Sequence, residues 1–292
     1  MTSWHEGPRA GFDLETTGRD PLTARIVTAT IVLVDGNGRV LEHHEWLADP
    51  GIDIPEGAAA IHGVTTAHAR AHGLPAGEVV HGISAVLARL FAAGIPVLAF
   101  NARYDFTVLA QEGHRHAVPV PAPWPVIDPY VMDKQADRYR RGKRTLTAMC
   151  EHYSIPFENA HTSAADVLAT LRVGAVLAER FAFLRRPATD LHASLVVWAD
   201  RQAANFEEYL RRTEPDAVIE RAWPVIGGPD QQAADQQTAG QQTARQQTAD
   251  HQTAGQQASR QQAADQPAAD QQAADRSRPT EDASRRPAIT VP

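Results

Sequence analysis

Two acidic residues, Asp13 and Glu15, lie two positions apart in the short apolar segment Phe12-Asp13-Leu14-Glu15. In a β-strand, residues two apart point to the same face, so the two carboxylates would project together. Carboxylates this close repel, and one takes up a proton unless a cation lies between them. Mg²⁺ and Mn²⁺ prefer oxygen ligands, so the pair predicts a divalent metal site; two incidental acids at a solvated strand end are the alternative.

Three further residues could complete such a site. Asp105 follows the apolar segment 96–100 and lies in the first turn of a predicted helix, where the helix dipole stabilises an acid. His161 precedes a long predicted helix that contains Asp166. Five residues turn a helix by about 140°, so these two side chains converge only if His161 lies off the helix start. Taken alone, Asp105 is an ordinary helix acid and His161 an ordinary surface histidine.

The segments that carry these residues predict one α/β domain. Residues 9–49 predict a three-stranded meander, with a hairpin turn at Asp35-Gly36-Asn37-Gly38. An amphipathic helix is predicted at 79–91 and short strands at 96–100 and 125–128. Further helices are predicted at 104–111, 146–153, 163–184 and 191–212, the last N-capped by Thr189 or Asp190. A hairpin followed by alternating strands and helices predicts a mixed β-sheet flanked by helices.

The three acidic segments, in this order, resemble the DEDD superfamily of 3′-5′ exonucleases in its His-bearing branch, DEDDh. That branch includes the DnaQ-like epsilon subunit of DNA polymerase III and RNase T. Asp13 and Glu15 fit its first motif, Asp105 its second, and His161 with Asp166 its third. The resemblance covers about residues 9 to 180 and implies a ribonuclease H-like fold.

Two other segments bear on this resemblance. Residues 50–55 and 60–65 resemble the family's segment between its first two motifs. The second motif departs from the family's usual His-Asn-Ala and Phe-Asp, because Phe100 precedes Asn101 and Tyr104 precedes Asp105. The aromatic or apolar wall is kept, so only details of nucleotide contact are affected.

The resemblance implies a catalytic mechanism. Asp13, Glu15 and Asp166 would hold one divalent ion, and Asp13 would bridge to a second ion supported by Asp105. The cofactors are therefore expected to be two ions of Mg²⁺ or Mn²⁺. His161 would act as the general base that takes the proton of the attacking water. The product would be a 5′-nucleoside monophosphate released from a 3′ end.

The sequence indicates the residues that contact nucleic acid less specifically than it indicates the acids. Thr16, Thr17 and His62 lie where the family contacts the terminal nucleotide, and Phe100 and Asn101 adjoin the second motif. Packing is the alternative for each of them. In the segment 138–144, five of seven residues are cationic, whereas the chain has a net charge of -7. The local charge favours phosphate contact over a solvated loop, and the residues predicted to make it are Arg140, Arg141 and Lys143.

Three functions are compatible with these residues. The leading hypothesis is a DNA-directed exonuclease of proofreading or repair type, which acts on a single-stranded or frayed 3′ end. Trimming of RNA 3′ ends is the second, because metal chemistry at a phosphodiester ignores the 2′-OH. A non-catalytic scaffold that docks a DNA polymerase subunit is the third. The C-terminal repeat does not support a polymerase partner, because a docking peptide needs aromatic or aliphatic anchors.

The C-terminal quarter of the chain differs from the rest. Residues 231–275 are nine consecutive pentapeptides related to Gln-Gln-Ala-Ala-Asp, without an aromatic, Leu, Ile or Val residue. Such a segment cannot bury enough apolar surface to offset the entropy of ordering it. The sequence therefore predicts a lead at 1–8, the exonuclease domain at 9–185, a helical extension packed on it at 186–228 and a disordered tail at 229–292.

Composition excludes several classes of protein. An acidic chain held by phosphate neutralisation alone would not coat duplex nucleic acid. The one cysteine, Cys150, excludes a disulfide framework and a four-cysteine zinc site, and is typical of a reducing compartment. No segment is apolar over the roughly 18 residues that a membrane span requires, and the first residues lack a secretory pattern. We therefore expect a cytoplasmic protein that does not bind membranes.

Overall fold

The computed structural model describes residues 3–157 and 162–227. The chain separates into two units, Met1–Gln232 and Ala233–Pro292. The second unit, with the predicted disordered tail, lies outside the described residues, as does His161.

Six β-strands lie in the described residues: β1 (Arg9–Thr16), β2 (Ile26–Val34), β3 (Val40–Asp49), β4 (Leu74–Pro75), β5 (Val97–Leu98) and β6 (Val126–Ile127). The described part also has eight α-helices: α1 (Glu56–His62), α2 (Thr66–His72), α3 (Ala76–Ala92), α4 (Arg103–His116), α5 (Pro129–Ala136), α6 (Leu146–His152), α7 (Ser163–Arg180) and α8 (Ala188–Leu210). A short 3₁₀ turn at Ala182–Leu184 separates the last two helices.

The strands form one mixed sheet in the order β4-β3-β2-β1-β5-β6. β1 pairs antiparallel with β2 and parallel with β5, while β5 pairs parallel with β6. β1 is thus central, and it is the strand where the antiparallel meander joins the parallel part of the sheet. The predicted mixed sheet flanked by helices is confirmed.

The β2–β3 hairpin has a local explanation in the sequence. β2 is rich in β-branched residues, which pack well on a pleated surface. The turn that follows is closed by Asp35, whose carboxylate accepts the backbone N–H groups of Asn37 and Arg39 at 2.9 Å each. Gly38 has a φ of 83°, a conformation that a glycine adopts without steric cost.

Helices cover both faces of the sheet. α3 and α4 pack on one face, where Val79, Ile83 and Leu87 are fully buried. α7 packs on the other face, against β1 and β2. α8 packs on α5 and β6 through the buried residues Leu191 and Leu195. No helix in the described ranges is long and apolar enough to cross a membrane.

The structure corrects several element boundaries. α7 ends at Arg180 instead of 184, and α8 begins at Ala188 with Pro187 at its N-cap, so neither Thr189 nor Asp190 caps it. The strands predicted at 96–100 and 125–128 are shorter, because their ends turn toward α4 and α5. Three short helices, α1, α2 and α5, were not predicted.

α7 approaches β1 closely because residue 11 is a glycine. A Cβ atom at Gly11 would lie 2.6 Å from Cγ1 of Val167 and 3.0 Å from Cγ of Leu171, both buried residues of α7. The close approach places the first turns of α7 over the acidic end of β1. Gly11 therefore helps to position α7 relative to the acidic end of β1.

We expect Gly11→Ala to lower the free energy of unfolding by about 1 to 3 kcal/mol, the usual cost of overpacking a core. Chemical denaturation would measure it. Gly7→Ala is the matched control, because nothing lies within 4 Å of a Cβ atom at Gly7. Equal stability of the two variants would contradict a tight β1–α7 contact.

Candidate active site

The paired acids of β1 point to the face that α7 covers. Asp13 lies opposite Thr30 of β2, and Glu15 lies opposite Thr28. Alternation along the strand places both on the same face as Gly11. Phe12, on the opposite face, packs against Phe106 of α4 with 5.3 Å between ring centroids. The strand therefore separates a carboxylate face from an apolar face, as the sequence predicts.

α7 brings the third acid to this face. The Ser163 hydroxyl at the start of α7 lies 2.7 Å from the Thr30 hydroxyl of β2, and both residues are buried. Asp166 is three residues further along, in the first turn of the helix. One carboxylate oxygen from each of Asp13, Glu15 and Asp166 lies within 4.8 Å of the other two.

Asp105 approaches from the other side of β1. The pairing of β1 with β5 ends at Gly11 and Leu98, which leaves the N–H of Leu14 without a strand partner on that edge. Oδ1 of Asp105 accepts this N–H at 3.1 Å, and the side chain is 3% exposed. The backbone of β1 thus holds the fourth acid beside the first pair.

Three of the four carboxylates have a raised proton affinity. Burial raises the pKa of Asp13 well above its ordinary value, and the neighbouring Asp105, Asp166 and Glu15 add to the increase. Burial and Asp166 raise the pKa of Glu15 to about 7. Burial also raises the pKa of Asp105, against the hydrogen bond from Leu14. A donor set of this kind is suited to a hard divalent cation, which would replace the retained protons.

Asp128, at the end of β6, holds the turn that precedes α4. One of its carboxylate oxygens accepts the N–H groups of Asn101 and Tyr130 at 3.1 and 2.9 Å. The other accepts the N–H of Ala102 at 3.0 Å and Nε1 of Trp223 at 3.4 Å. Burial raises the pKa of Asp128 to about 6. Asp128 was not among the predicted site residues, although an acid directly after a short apolar strand is visible in the sequence.

A cleft of about 410 Å³ opens beside Glu15. We call it the β1–α1 cleft; the predicted residues Thr16, Thr17 and His62 line it, together with Tyr104. Nδ1 of His62 accepts the N–H of Val64 at 3.2 Å, which leaves the proton of the neutral ring on Nε2. Burial lowers the pKa of His62, against a hydrogen bond with the backbone of Thr16 that raises it.

The cleft is joined to α4 by side chains. The Tyr104 hydroxyl lies 2.5 Å from that of Thr16 and donates to the carbonyl of Gly18. Further along α4, the fully buried Glu112 pairs with Arg25 at 2.6 Å and with Arg115 at 2.8 Å. The pair with Arg25 anchors the segment between β1 and β2 on the helix that carries Asp105.

Some predicted contact residues lie elsewhere. Phe100 is half-buried and packs against Tyr130, and Asn101 is exposed; neither lines the β1–α1 cleft. The predicted phosphate contact of Arg140 is wrong. Its side chain is 7% exposed and pairs with the buried Asp133 at 2.9 Å, so its charge is neutralised inside the fold. Arg141 and Lys143 are exposed, and His161 lies outside the described residues.

Comparison with known proteins agrees with this geometry. The model of the RNase_T family, described as exonuclease, matches residues 10–173, more than half of the chain. No curated protein matches the chain.

Solved structures of exonuclease I are similar in fold. One, whose structure is said to suggest how processivity is achieved, has a TM-score of 0.52 and 20% identity, over 69% of this chain and 46% of that chain. E. coli exonuclease I with a dT13 oligonucleotide has a TM-score of 0.52 and 22% identity, over 61% of this chain and 42% of that chain. The zinc-bound E. coli ExoI–ssDNA complex has a TM-score of 0.51 and 22% identity, over 61% of this chain and 42% of that chain. This chain spans less than half of those chains.

The predicted resemblance is confirmed at the level of the family and of the ribonuclease H-like exonuclease fold. The matched range contains the four acids that the structure brings together, and also His161. α8 and the residues after it lie outside that range. The chain belongs to the RNase_T family of exonucleases.

Proposed function

We propose that this protein is a metal-dependent 3′-5′ exonuclease that releases 5′-nucleoside monophosphates from single-stranded or frayed 3′ ends of DNA, in proofreading or repair. The observation that carries the proposal is the convergence of Asp13, Glu15 and Asp166 within 4.8 Å, beside the β1–α1 cleft. Asp105 joins them through its hydrogen bond to β1. The site thus combines a cation-binding cluster with a space for a nucleotide.

The carboxylates fit the proposed metal. Asp13, Glu15 and Asp166 would hold one divalent ion, Mg²⁺ or Mn²⁺, and Asp13 with Asp105 would hold a second. Metal ions in such a site lower the pKa of a bound water and stabilise charge on the leaving oxygen. The raised pKa values of Asp13 and Glu15 fit this role, because a cation would remove the repulsion that raises them.

The chain's own residues have separate tasks in this proposal. His161 accepts the proton of the attacking water, as the family resemblance implies. Thr16, Thr17 and Tyr104 hold the terminal nucleotide in the β1–α1 cleft. His62 lines the same cleft, and its ring would contact that nucleotide.

DNA is the proposed substrate because E. coli exonuclease I, which shares the fold, was solved with dT13 and as an ssDNA complex. Arg141 and Lys143, exposed in the loop between α5 and α6, would contact phosphates of the strand. Matched DNA and RNA oligonucleotides with labelled 5′ ends would separate DNA from RNA trimming.

We expect Asp13→Asn to reduce Mg²⁺-dependent 3′ trimming by about 10² to 10³-fold, the usual loss for one electrostatic contact with a transition state. In EDTA the same variant should melt at a temperature no lower than the wild type, because burial and the neighbouring acids disfavour a charge on Asp13 and the amide carries none. Asp216→Asn, at an exposed acid of the described part, is the control. Undiminished trimming by Asp13→Asn would refute the proposed site.

We expect His161→Ala to slow trimming by roughly 10² to 10⁴-fold, the usual contribution of a positioned general base. Single-turnover rates on a labelled single strand would measure the chemical step. His81→Ala, at an exposed histidine of α3, is the matched control. If both variants trim at the wild-type rate, His161 is not the base.

We expect the raised pKa of Glu15 to lower the free energy of unfolding of the metal-free protein as pH rises from about 4.5 to about 7. Over this range folded Glu15 keeps a proton that the unfolded chain has released, so rising pH favours unfolding. Denaturant titrations in EDTA would measure the decline, and Mg²⁺ should reduce it. Glu15→Gln should make it shallower, whereas Glu208→Gln, at an exposed acid, should not. Equal slopes in the two variants would count against the raised pKa of Glu15.

A further inference from the structure

A second cleft, of about 190 Å³, lies where α4, α5, α8 and residues 219–223 meet. We call it the α4–α8 cleft; three cationic side chains, Arg103, Lys134 and Arg221, line it. Two of its walls, α8 and residues 219–223, lie outside the range that the exonuclease family matches. The cleft is thus formed between the family's domain and the extension that follows it.

Lys134 carries the least compensated charge in this cleft. Its ammonium group lies 4.9 Å from the centre of the Tyr130 ring, and it makes no hydrogen bond or ion pair with another described residue. Burial lowers the pKa of Lys134, and Arg144 lowers it further, against the attraction of Asp128. A half-buried ammonium without hydrogen-bond acceptors is a group that gains from an anion.

The other two cations differ in how they are compensated. Arg103 donates to the backbone carbonyl of Glu220 at 2.6 Å, and no carboxylate in the described ranges lies within ion-pair distance of it. Arg221 pairs with Glu207 at 3.2 Å and lies 4.0 Å from Asp200, so its charge is balanced. The uncompensated pair in the cleft is therefore Arg103 and Lys134.

The acid in the cleft wall does not ion-pair with these cations. Both oxygens of Asp128 accept hydrogen bonds, from three backbone N–H groups and from Trp223. These bonds hold the carboxylate against the turn before α4. The cleft therefore presents two cations and no free carboxylate to a ligand.

The first turn of α4 lies between this cleft and the candidate active site. Arg103 lines the α4–α8 cleft, Tyr104 lines the β1–α1 cleft, and Asp105 contacts β1. Successive residues of a helix project about 100° apart, which explains how one turn serves three sites. Residues of one helical turn thus line both clefts.

We propose that the α4–α8 cleft binds an internal phosphodiester of the single strand whose 3′ end lies in the β1–α1 cleft, with Lys134 and Arg103 as its ligands. The inference rests on the proposed function, because it concerns the same substrate. The cleft volume suits a phosphate group and its sugar. Tyr130 and the half-exposed Phe206 in the cleft walls offer faces to a neighbouring base.

Binding in EDTA tests this inference separately from catalysis. The probe is a fluorescein-labelled 12-mer of thymidylate, measured by fluorescence anisotropy at several salt concentrations. Lys134→Gln should raise the Kd roughly 5-fold, the upper range for one partly exposed ion pair, and Arg103→Gln should do the same. Each should reduce the salt slope of log Kd by about 0.7, the value for one phosphate of a single strand. Arg185→Gln removes an exposed charge outside both clefts and should leave the slope unchanged.

A second set of probes locates the phosphate. Each oligonucleotide carries one neutral methylphosphonate at a different position from the 3′ end. One internal position should weaken binding to the wild type but not weaken it further in Lys134→Gln, because the two changes remove the same contact. An unchanged salt slope in Lys134→Gln, or additive losses at every position, would overturn the proposal. A wild type that binds in this way but does not trim with Mg²⁺ would instead refute the proposed exonuclease function.

Discussion

Four carboxylates lie together at one end of β1 although they repel one another, and the packing around that strand has to hold them there. Gly11 allows α7 close to the strand, and the Thr30 and Ser163 hydroxyls join α7 to β2. Asp105 is held by the N–H of Leu14. These contacts supply the opposing free energy. They hold Asp13, Glu15 and Asp105 where their pKa values are raised, and a bound cation would lower those values.

The helix α4 connects the parts of the site. α4 carries Asp105 to β1, Tyr104 to the β1–α1 cleft and Arg103 to the α4–α8 cleft. Its beginning is held by Asp128, and its later turns are tied to the β1–β2 segment by Glu112. A change at any of these positions would therefore act on the acids, the β1–α1 cleft and the α4–α8 cleft together.

Local patterns predicted the parts of the fold that depend on local chemistry. The β-branched run of β2, the turn after Asp35 and the apolar stripe of α3 each carry their own signal, and the structure has all three. The short helices α1, α2 and α5 carry a weak signal, because their form depends on what they pack against. Arg140 shows the same limit: its sequence neighbours are cations, but its partner, Asp133, is a buried acid on α5.

The sequence by itself determined the residue types of the site and their order, since Asp13, Glu15, Asp105 and Asp166 are recognisable from spacing and from the family resemblance. Only the tertiary structure decided which oxygens converge, because that depends on the closeness of α7 to β1 and on the hydrogen bond from the N–H of Leu14 to Asp105. The tertiary structure also decided which cationic side chains have no ion-pair partner among the described residues. Lys134 and Arg140 have the same charge sign, but one lines a cleft and the other is neutralised by Asp133, and burial and partners in three dimensions set that difference.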